Sequence, residues 1–316
     1  PVDTERKLTL GDLDQADQLI VNESVRKCIE EINKLGINKE CKEIKKYVEK
    51  KELKVNKLVN ETIFKSREHT ERLFFSASEL DFDIPYTIDE IKEACYLTLE
   101  RNNLVDAYIR PIAWRGAETV GVSAQSTKIH CAIAVWEWPS YFSPEDKLKG
   151  IRLTLSNWKR PSPDTIPCKA KAAGLYMICT LAKHKAESQG YADALMLDTD
   201  DKVAEATGAN IFFISDKEIH TPVPDSFLDG ITRRTVIDLA KDHGLKIIER
   251  KIELDELSSF DQCFITGTAA EVTPVSEIDN FKFRVGEEIK TLSKSYINLV
   301  NNLSLIHISE PTRHVD

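Results

Sequence analysis

The spacing of apolar positions divides the chain into segments of different period. Leu19, Ile20, Val25, Ile29 and Ile32 recur at helical intervals between Asp12 and Leu35, and Gly36 supplies a stop. Ile44, Tyr47, Val48, Val55 and Leu58 repeat that spacing over 41–58 and predict a second helix. A helix is also predicted over Arg67–Ala77, with Leu73 and Ala77 on its apolar side, until Asp83-Ile84-Pro85-Tyr86 breaks it. Thr87, with Glu90 three residues later, forms a capping box for a helix reaching about Asn102. The period then shortens to two over Asp106–Trp114 and Lys128–Trp136, which predicts strands. Trp136–Asp146, with Pro139 and Pro144, reads as a linker.

Beyond it, Gly150–Leu155 reads as a strand and Ala170–Gln189 as one long helix closed by Gly190. Ala194–Asp198 and Val203–Ala206 flank the turn Thr199-Asp200-Asp201, a hairpin signal. Asn210–Ile214 is a buried strand, a helix runs from Gly230 to Gly244, and strands follow over Lys246–Ile252 and Gln262–Thr268. There is no internal repeat and no low-complexity tract. Strands and helices in this order predict an α/β fold with mixed (α+β) sheets. The expected division is a helical segment 1–60, a small α/β domain 61–135, a linker 136–147, a large domain 148–302 and a tail 303–316.

Composition narrows the function classes. A chain of 316 residues with 41% apolar content can bury a sizeable core in two domains. No run approaches the length of a membrane span, and Pro1-Val2-Asp3-Thr4-Glu5-Arg6 has no apolar leader, so a cytoplasmic protein is expected. A net charge of −9 argues against general nucleic-acid binding. Seven lysines against three glutamates over 41–60 allow a basic amphipathic face for a membrane or acidic partner, although a solvated helix face has the same composition. The seven cysteines are scattered without a CxxC, which suits free thiols in a reducing compartment and no metal site; Cys168 lies near the lysine discussed next, as a reactive thiol or a small buried one. Leu303–Arg313 reads as a translated sequencing adapter. With no Met at the front, residues 1–60 read as a misjoined, chimeric segment.

The chemistry centres on Lys171, in Cys168-Lys169-Ala170-Lys171-Ala172-Ala173-Gly174-Leu175-Tyr176. Small neighbours leave room for something flat, and a lysine deprived of water can act as nucleophile or base; an ordinary solvated helix lysine is the alternative. Glu205, between Ala204 and Ala206 in a strand-like run, is a candidate buried carboxylate that needs a cationic partner, or else an exposed hairpin acid. Asp229-Gly230-Ile231-Thr232 opens a helix and offers free N–H groups to an anion, and Thr266-Gly267-Thr268-Ala269-Ala270 offers more. Arg72 and Arg110 are candidate anion partners. A lysine nucleophile, an acid for a pyridine nitrogen and glycine turns for a phosphate together describe a pyridoxal 5'-phosphate site.

Residues 61–302 resemble the bacterial branched-chain amino acid aminotransferases, fold-type IV pyridoxal-phosphate enzymes. The stretches that carry the resemblance are Tyr108-Ile109-Arg110-Pro111, Asn157-Trp158-Lys159-Arg160, Lys171-Ala172-Ala173-Gly174-Leu175-Tyr176, Glu205-Ala206-Thr207-Gly208-Ala209-Asn210, Leu228-Asp229-Gly230-Ile231-Thr232-Arg233 and Gly267-Thr268-Ala269-Ala270-Glu271-Val272-Thr273-Pro274. The resemblance implies that Lys171 is the Schiff-base lysine, Tyr176 bonds the ring-hydroxyl side and Glu205 binds the pyridine nitrogen. It implies that Arg72, Ile231, Thr232 and Thr268, with the Gly267 turn, hold the phosphate. Tyr108, Arg110, Trp138, Tyr141, Ala269 and Ala270 would line the substrate pocket. Arg110 would answer the second carboxylate of glutamate, and the aromatic wall would accept Leu, Ile or Val. The implied reaction is transamination between branched-chain L-amino acids and 2-oxoglutarate in a homodimer or larger assembly. A D-amino acid aminotransferase or aminodeoxychorismate lyase shares the lysine and the acid, but is not expected to carry Tyr108-Ile109-Arg110-Pro111. One departure is the family's His-Tyr-Gly…Phe-Glu-Gly segment, for which residues 1–60 offer no counterpart; a catalytically impaired cofactor-binding remnant is the reading that follows from it.

Overall fold

The computed structural model describes residues 63–138 and 142–301. The two helices expected over 12–58, Tyr141 and the 303–316 tail lie outside the described residues. The first elements are helices α1 (Ser66–Glu79) and α2 (Ile88–Asn102), packed on an antiparallel pair, β1 (Tyr108–Arg115) and β2 (Ile129–Trp136). The capping box of α2 is present: Thr87 Oγ1 accepts from Glu90 N–H at 3.2 Å, and Glu90 Oε2 accepts from Thr87 N–H at 2.7 Å. Pairing sets Tyr108 opposite Trp136 and Arg110 opposite Ala134. Arg110, Ile112 and Trp114 share the exposed face, as the two-residue period of a strand requires.

Two local expectations need correction. The stretch read as a plain linker holds the last residue of β2 and the start of helix α3 (Pro144–Lys149). Ser143 and Asp146 cap α3 reciprocally, and a proline in the first turn loses no helical hydrogen bond. The long helix expected from Ala170 is also shorter. A 3-10 turn over Ala173–Tyr176 leads into α4 (Met177–Ser188), and Ala172 is extended at φ −108°, ψ 138°. The Lys171 N–H leaves the helical pattern because it donates to Ser76 Oγ of α1 at 2.9 Å. One tertiary hydrogen bond therefore overrides the helical propensity of an alanine-rich run.

The remaining strands are β3 (Ile151–Leu155), β4 (Asp193–Leu197), β5 (Val203–Ala206), β6 (Asn210–Ser215), β7 (Glu218–Thr221), β8 (Lys246–Glu249), β9 (Gln262–Gly267), β10 (Glu271–Ile278) and β11 (Phe281–Lys282). They form one mixed sheet. β10 pairs with β3, β3 with β4, β4 with β5, β5 with β6, β6 with β9 and β9 with β10, so the pairing returns to its start. The alternation of side chains divides the core. Ile211, Phe213, Cys263 and Ile265 join Leu153, Leu195 and Val275 in one cluster. Phe212, Ile214 and Phe264 join the buried faces of α5 (Ile231–Asp242) and α6 (Glu287–Asn301) in a second. Ala182 and Ala186 of α4 cover Ala194 of β4 in a third. Gly190 (φ 80°) and Gly244 (φ 72°) lie just beyond α4 and α5 in the left-handed region, where a glycine is the least strained residue. No helix among the described residues is long and apolar enough to cross a membrane.

Candidate active site

The floor of the site is the segment pinned by Ser76. Its hydroxyl accepts from Lys171 N–H and donates to Arg72 O at 2.8 Å, so α1 and the lysine segment share one oxygen. Lys171 Nζ donates to Tyr176 OH at 2.8 Å. Lys171 as a residue is exposed, yet the protein around its amine removes enough water to lower its pKa. Arg72 and Arg110 push it further down, while Tyr108 and Glu205 oppose them. Burial and the Glu205 charge push the Tyr176 phenol up to about 12, so it stays neutral beside the amine.

Glu205 lies on β5 with its side chain buried, not on an exposed hairpin. Burial raises its pKa to about 7, and the nearby Arg160 and Lys171 charges only partly offset that. Arg160 Nε is 3.5 Å from Glu205 Oε1, and the guanidinium also donates to Ser226 O and Leu175 O. Asn210 Nδ2 donates to the other carboxylate oxygen at 3.2 Å. An acid that shares a proton near neutrality, close to a lysine of lowered pKa, suits a site built for proton movement.

A third group of residues is cationic. Arg72 Nη2 lies 3.4 Å from His69 Nδ1, which accepts from it. Burial and the Arg72 and Lys171 charges lower the His69 pKa to about 4, so the imidazole is neutral and can accept. Arg234, on the first turn of α5, also acts electrostatically on Arg72 and His69. Gly230 is the N-cap of α5 and has no side chain to cap it; Asn210 Oδ1 accepts its N–H, and the N–H groups that follow present partial positive charge. Across the site, a Cβ added at Gly267 would touch Gly208 O at 3.5 Å and Ala209 Cβ at 3.7 Å. The second glycine turn therefore abuts the Glu205–Asn210 connection. Helix-start N–H groups and neighbouring guanidinium groups are the donors that an anion would use.

The fourth part is aromatic. The Tyr108 and Trp138 ring centroids are 4.9 Å apart, Tyr108 and Trp136 are 4.9 Å apart, and Trp136 and Trp138 are 5.4 Å apart. Arg110 Cζ lies 5.1 Å from both the Tyr108 and Trp136 centroids.

The residues singled out from sequence thus fall into connected groups. Arg72, Tyr108, Arg110 and Glu205 all lie close enough to act on the charge of Lys171, and Glu205 and Arg72 also act on Tyr176. Ile231 and Thr232 are buried at the start of α5, and the Thr232 hydroxyl lies 3.5 Å from Tyr296 OH. Thr268 (exposed), Ala269 (half-buried) and Ala270 (buried) follow Gly267 in its turn. Trp138 joins the aromatic wall, whereas Tyr141 is outside the described residues. The sequence reading gave no role to Ser76, His69, Arg160, Asn210 or Trp136. Arg160 and Asn210 sat inside the motif stretches, which was the available signal; Ser76, His69 and Trp136 had none. Among the described residues no cluster of His, Cys, Asp and Glu could hold a metal ion.

Comparison with known proteins adds a family model described as amino-transferase class IV, which matches residues 53–278. The branched-chain-amino-acid aminotransferase of Pseudomonas aeruginosa is 42% identical over 248 residues, 78% of this chain and 81% of that protein. The Escherichia coli K12 protein of the same name is 36% identical over 244 residues, 75% of this chain and 78% of its own. Among solved structures, the T.th. branched-chain amino acid aminotransferase complexed with N-(5'-phosphopyridoxyl)-L-glutamate superposes with a TM-score of 0.72 at 37% identity, covering 76% of this chain and 79% of that one.

Proposed function

The chain belongs to the amino-transferase class IV family, and we propose from that premise that it moves an amino group between branched-chain L-amino acids and 2-oxoglutarate with pyridoxal 5'-phosphate as cofactor. The residues present fit that group. A buried carboxylate with a pKa of about 7 suits a pyridine nitrogen, a lysine amine of lowered pKa suits an aldehyde, and the start of α5, whose first-turn Arg234 acts on Arg72, suits a phosphate. Bound, the cofactor supplies an electron sink that lets the amino acid's α-carbon give up its proton.

The protein supplies placement and proton movement. Lys171 Nζ would hold the cofactor and, once free, would serve as the base and then the acid that moves the substrate's α-carbon proton. Tyr176 OH, 2.8 Å from that nitrogen, orients it. Glu205 would keep a ring nitrogen protonated. Arg72, with backbone or hydroxyl donors of Ile231, Thr232 and Thr268 and the Gly267 turn, would hold the phosphate. Tyr108, Trp138, Ala269 and Ala270 would line the substrate side, and Arg110 would receive the second carboxylate of glutamate. We assign 61–135 to a small substrate-side domain, 136–147 to the connection and 148–302 to a large cofactor-side domain, in a cytoplasmic homodimer or larger assembly.

The observation that carries this reading is a lysine of lowered pKa, bonded to a phenol and close enough to a buried acid of raised pKa for the two charges to act on each other. Purified protein mixed with pyridoxal 5'-phosphate is expected to turn yellow, L-leucine to bleach the colour and 2-oxoglutarate to restore it. Bleaching by D-alanine and not L-leucine would move the protein to a D-amino acid enzyme. No colour with any amount of cofactor would end the reading.

Trp136 yields a narrower expectation. It is the second aromatic shelf under Arg110, and a partly exposed cation–π contact contributes about 0.5–1 kcal/mol. Trp136→Leu should therefore raise KM for glutamate and 2-oxoglutarate about two- to fivefold and leave KM for leucine unchanged. Steady-state kinetics with both substrates checks this, and an equal change for leucine counts against it.

A further inference from the structure

The acid for the ring nitrogen and the cradle for the phosphate lie on segments well separated in the chain, and one buried side chain bonds both. Asn210 is 5% exposed at the start of β6. Its Nδ2 donates to Glu205 Oε2 at 3.2 Å and to Leu228 O at 2.9 Å, and its Oδ1 accepts from Gly230 N–H at 3.2 Å. Both amide protons and the carbonyl oxygen thus have partners, so the amide orientation is fixed by the network. Flipping it would set its oxygen against a carboxylate and a carbonyl, and its NH2 against an N–H.

Gly230 shows how tightly the contact is made. Its backbone, at φ −65° and ψ 140°, lies where any L residue is comfortable. Conformation therefore does not require glycine there. Space does: a Cβ at 230 would fall on Asn210 Oδ1, far inside contact distance. A side chain held by three hydrogen bonds in a buried site has little room to retreat.

We propose that Asn210 is a positioning residue that locks Glu205 to the Leu228–Gly230 turn, fixing the span between the ring-nitrogen acid and the anion-binding start of α5. The proposal rests on the functional reading above. Asn210 acts through Glu205 and Gly230 and has no contact with substrate in this account. Gly230 is then a steric partner of Asn210 as well as a turn residue.

The test is a double-mutant cycle in pyridoxal 5'-phosphate affinity, titrated on the cofactor-free full chain by absorbance. Asn210→Ala is expected to weaken binding at least about tenfold, the usual scale for losing a hydrogen bond to a charged group. It should also shift, by about one unit, the pH at which the bound cofactor changes colour, because Glu205 loses a donor. Gly230→Ala should weaken binding at least about tenfold in the Asn210 background by displacing the amide, and less than about twofold in the N210A background, where the space is free. Equal losses from Gly230→Ala in both backgrounds overturn the lock, as does wild-type affinity in Asn210→Ala. If Asn210→Ala does not fold, Gly230→Ala alone decides: an unchanged affinity and colour midpoint overturn the proposal, and a loss with a shifted midpoint supports it. Failure of the parent protein to bind the cofactor would defeat the functional reading instead, so the two failures are distinguishable.

Discussion

Lys171→Ala is expected to abolish the yellow form and to lower turnover by more than about 10⁴-fold, the upper end of what one positioned acid–base group contributes. The loss would be compound, because the proposed function gives the same nitrogen both the hold on the cofactor and the movement of the proton. Alanine keeps the backbone N–H that Ser76 accepts, so the fold around residue 171 should persist. Lys169, exposed and two residues away, is the control: Lys169→Ala should stay yellow and active. Borohydride treatment followed by peptide mapping checks the assignment directly. A cofactor-labelled peptide from Lys171→Ala protein would refute it.

Glu205→Gln separates capture from turnover. Glutamine keeps the shape and can still bond Asn210, but it cannot ionise against a ring nitrogen. The variant should hold cofactor and lose about 10²–10³ in kcat, the scale seen when one preorganised electrostatic partner is removed. A kcat within a factor of a few of the parent would remove Glu205 from the mechanism. The same substitution has a signature in the cofactor-free protein. In the folded chain burial raises the Glu205 pKa to about 7, against an ordinary 4.5, so between those values the folded state binds more protons than the unfolded one. Stability therefore falls as pH rises through that window. Glutamine lacks this liability, so the Tm of Glu205→Gln relative to the parent should climb between pH 4.5 and 7 and level above it. His69 titrates in the opposite sense, with its folded pKa lowered to about 4, but it is common to both proteins and cancels in the difference. Calorimetry of the two cofactor-free proteins across that range measures it.

Much of this site was legible from short stretches, because its parts are local. Lys171 and Tyr176 are five residues apart and meet through one turn, and Glu205 stands in a strand whose neighbours are small and apolar. What escaped reading is long-range. Ser76 and Lys171 are 95 positions apart, and their hydrogen bond diverts an alanine-rich run from the helix that its composition favours. Asn210 belongs to a recognisable stretch, but its second partner is a turn 18 to 20 residues on, whose approach depends on how β6 and α5 meet. Trp136 reads as the end of a strand; only the pairing with Tyr108 makes it part of an aromatic wall. Helix α6 was not predicted, although Ile289, Leu292 and Tyr296 mark its buried face at helical intervals.

The single oxygen of Ser76 ties the α1 backbone to the Lys171 segment, and so links two of the residues proposed to hold the coenzyme. That helix carries Arg72 in its own backbone and, through the hydroxyl, grips the peptide group of Lys171. A tug on α1 would move Arg72 and Lys171, the proposed phosphate partner and cofactor lysine, in concert, while the aromatic cluster of Tyr108 and Trp136 sits on β1 and β2. Damage to that helix should therefore surface first as coenzyme leaching away, before any change in which amino acids are accepted.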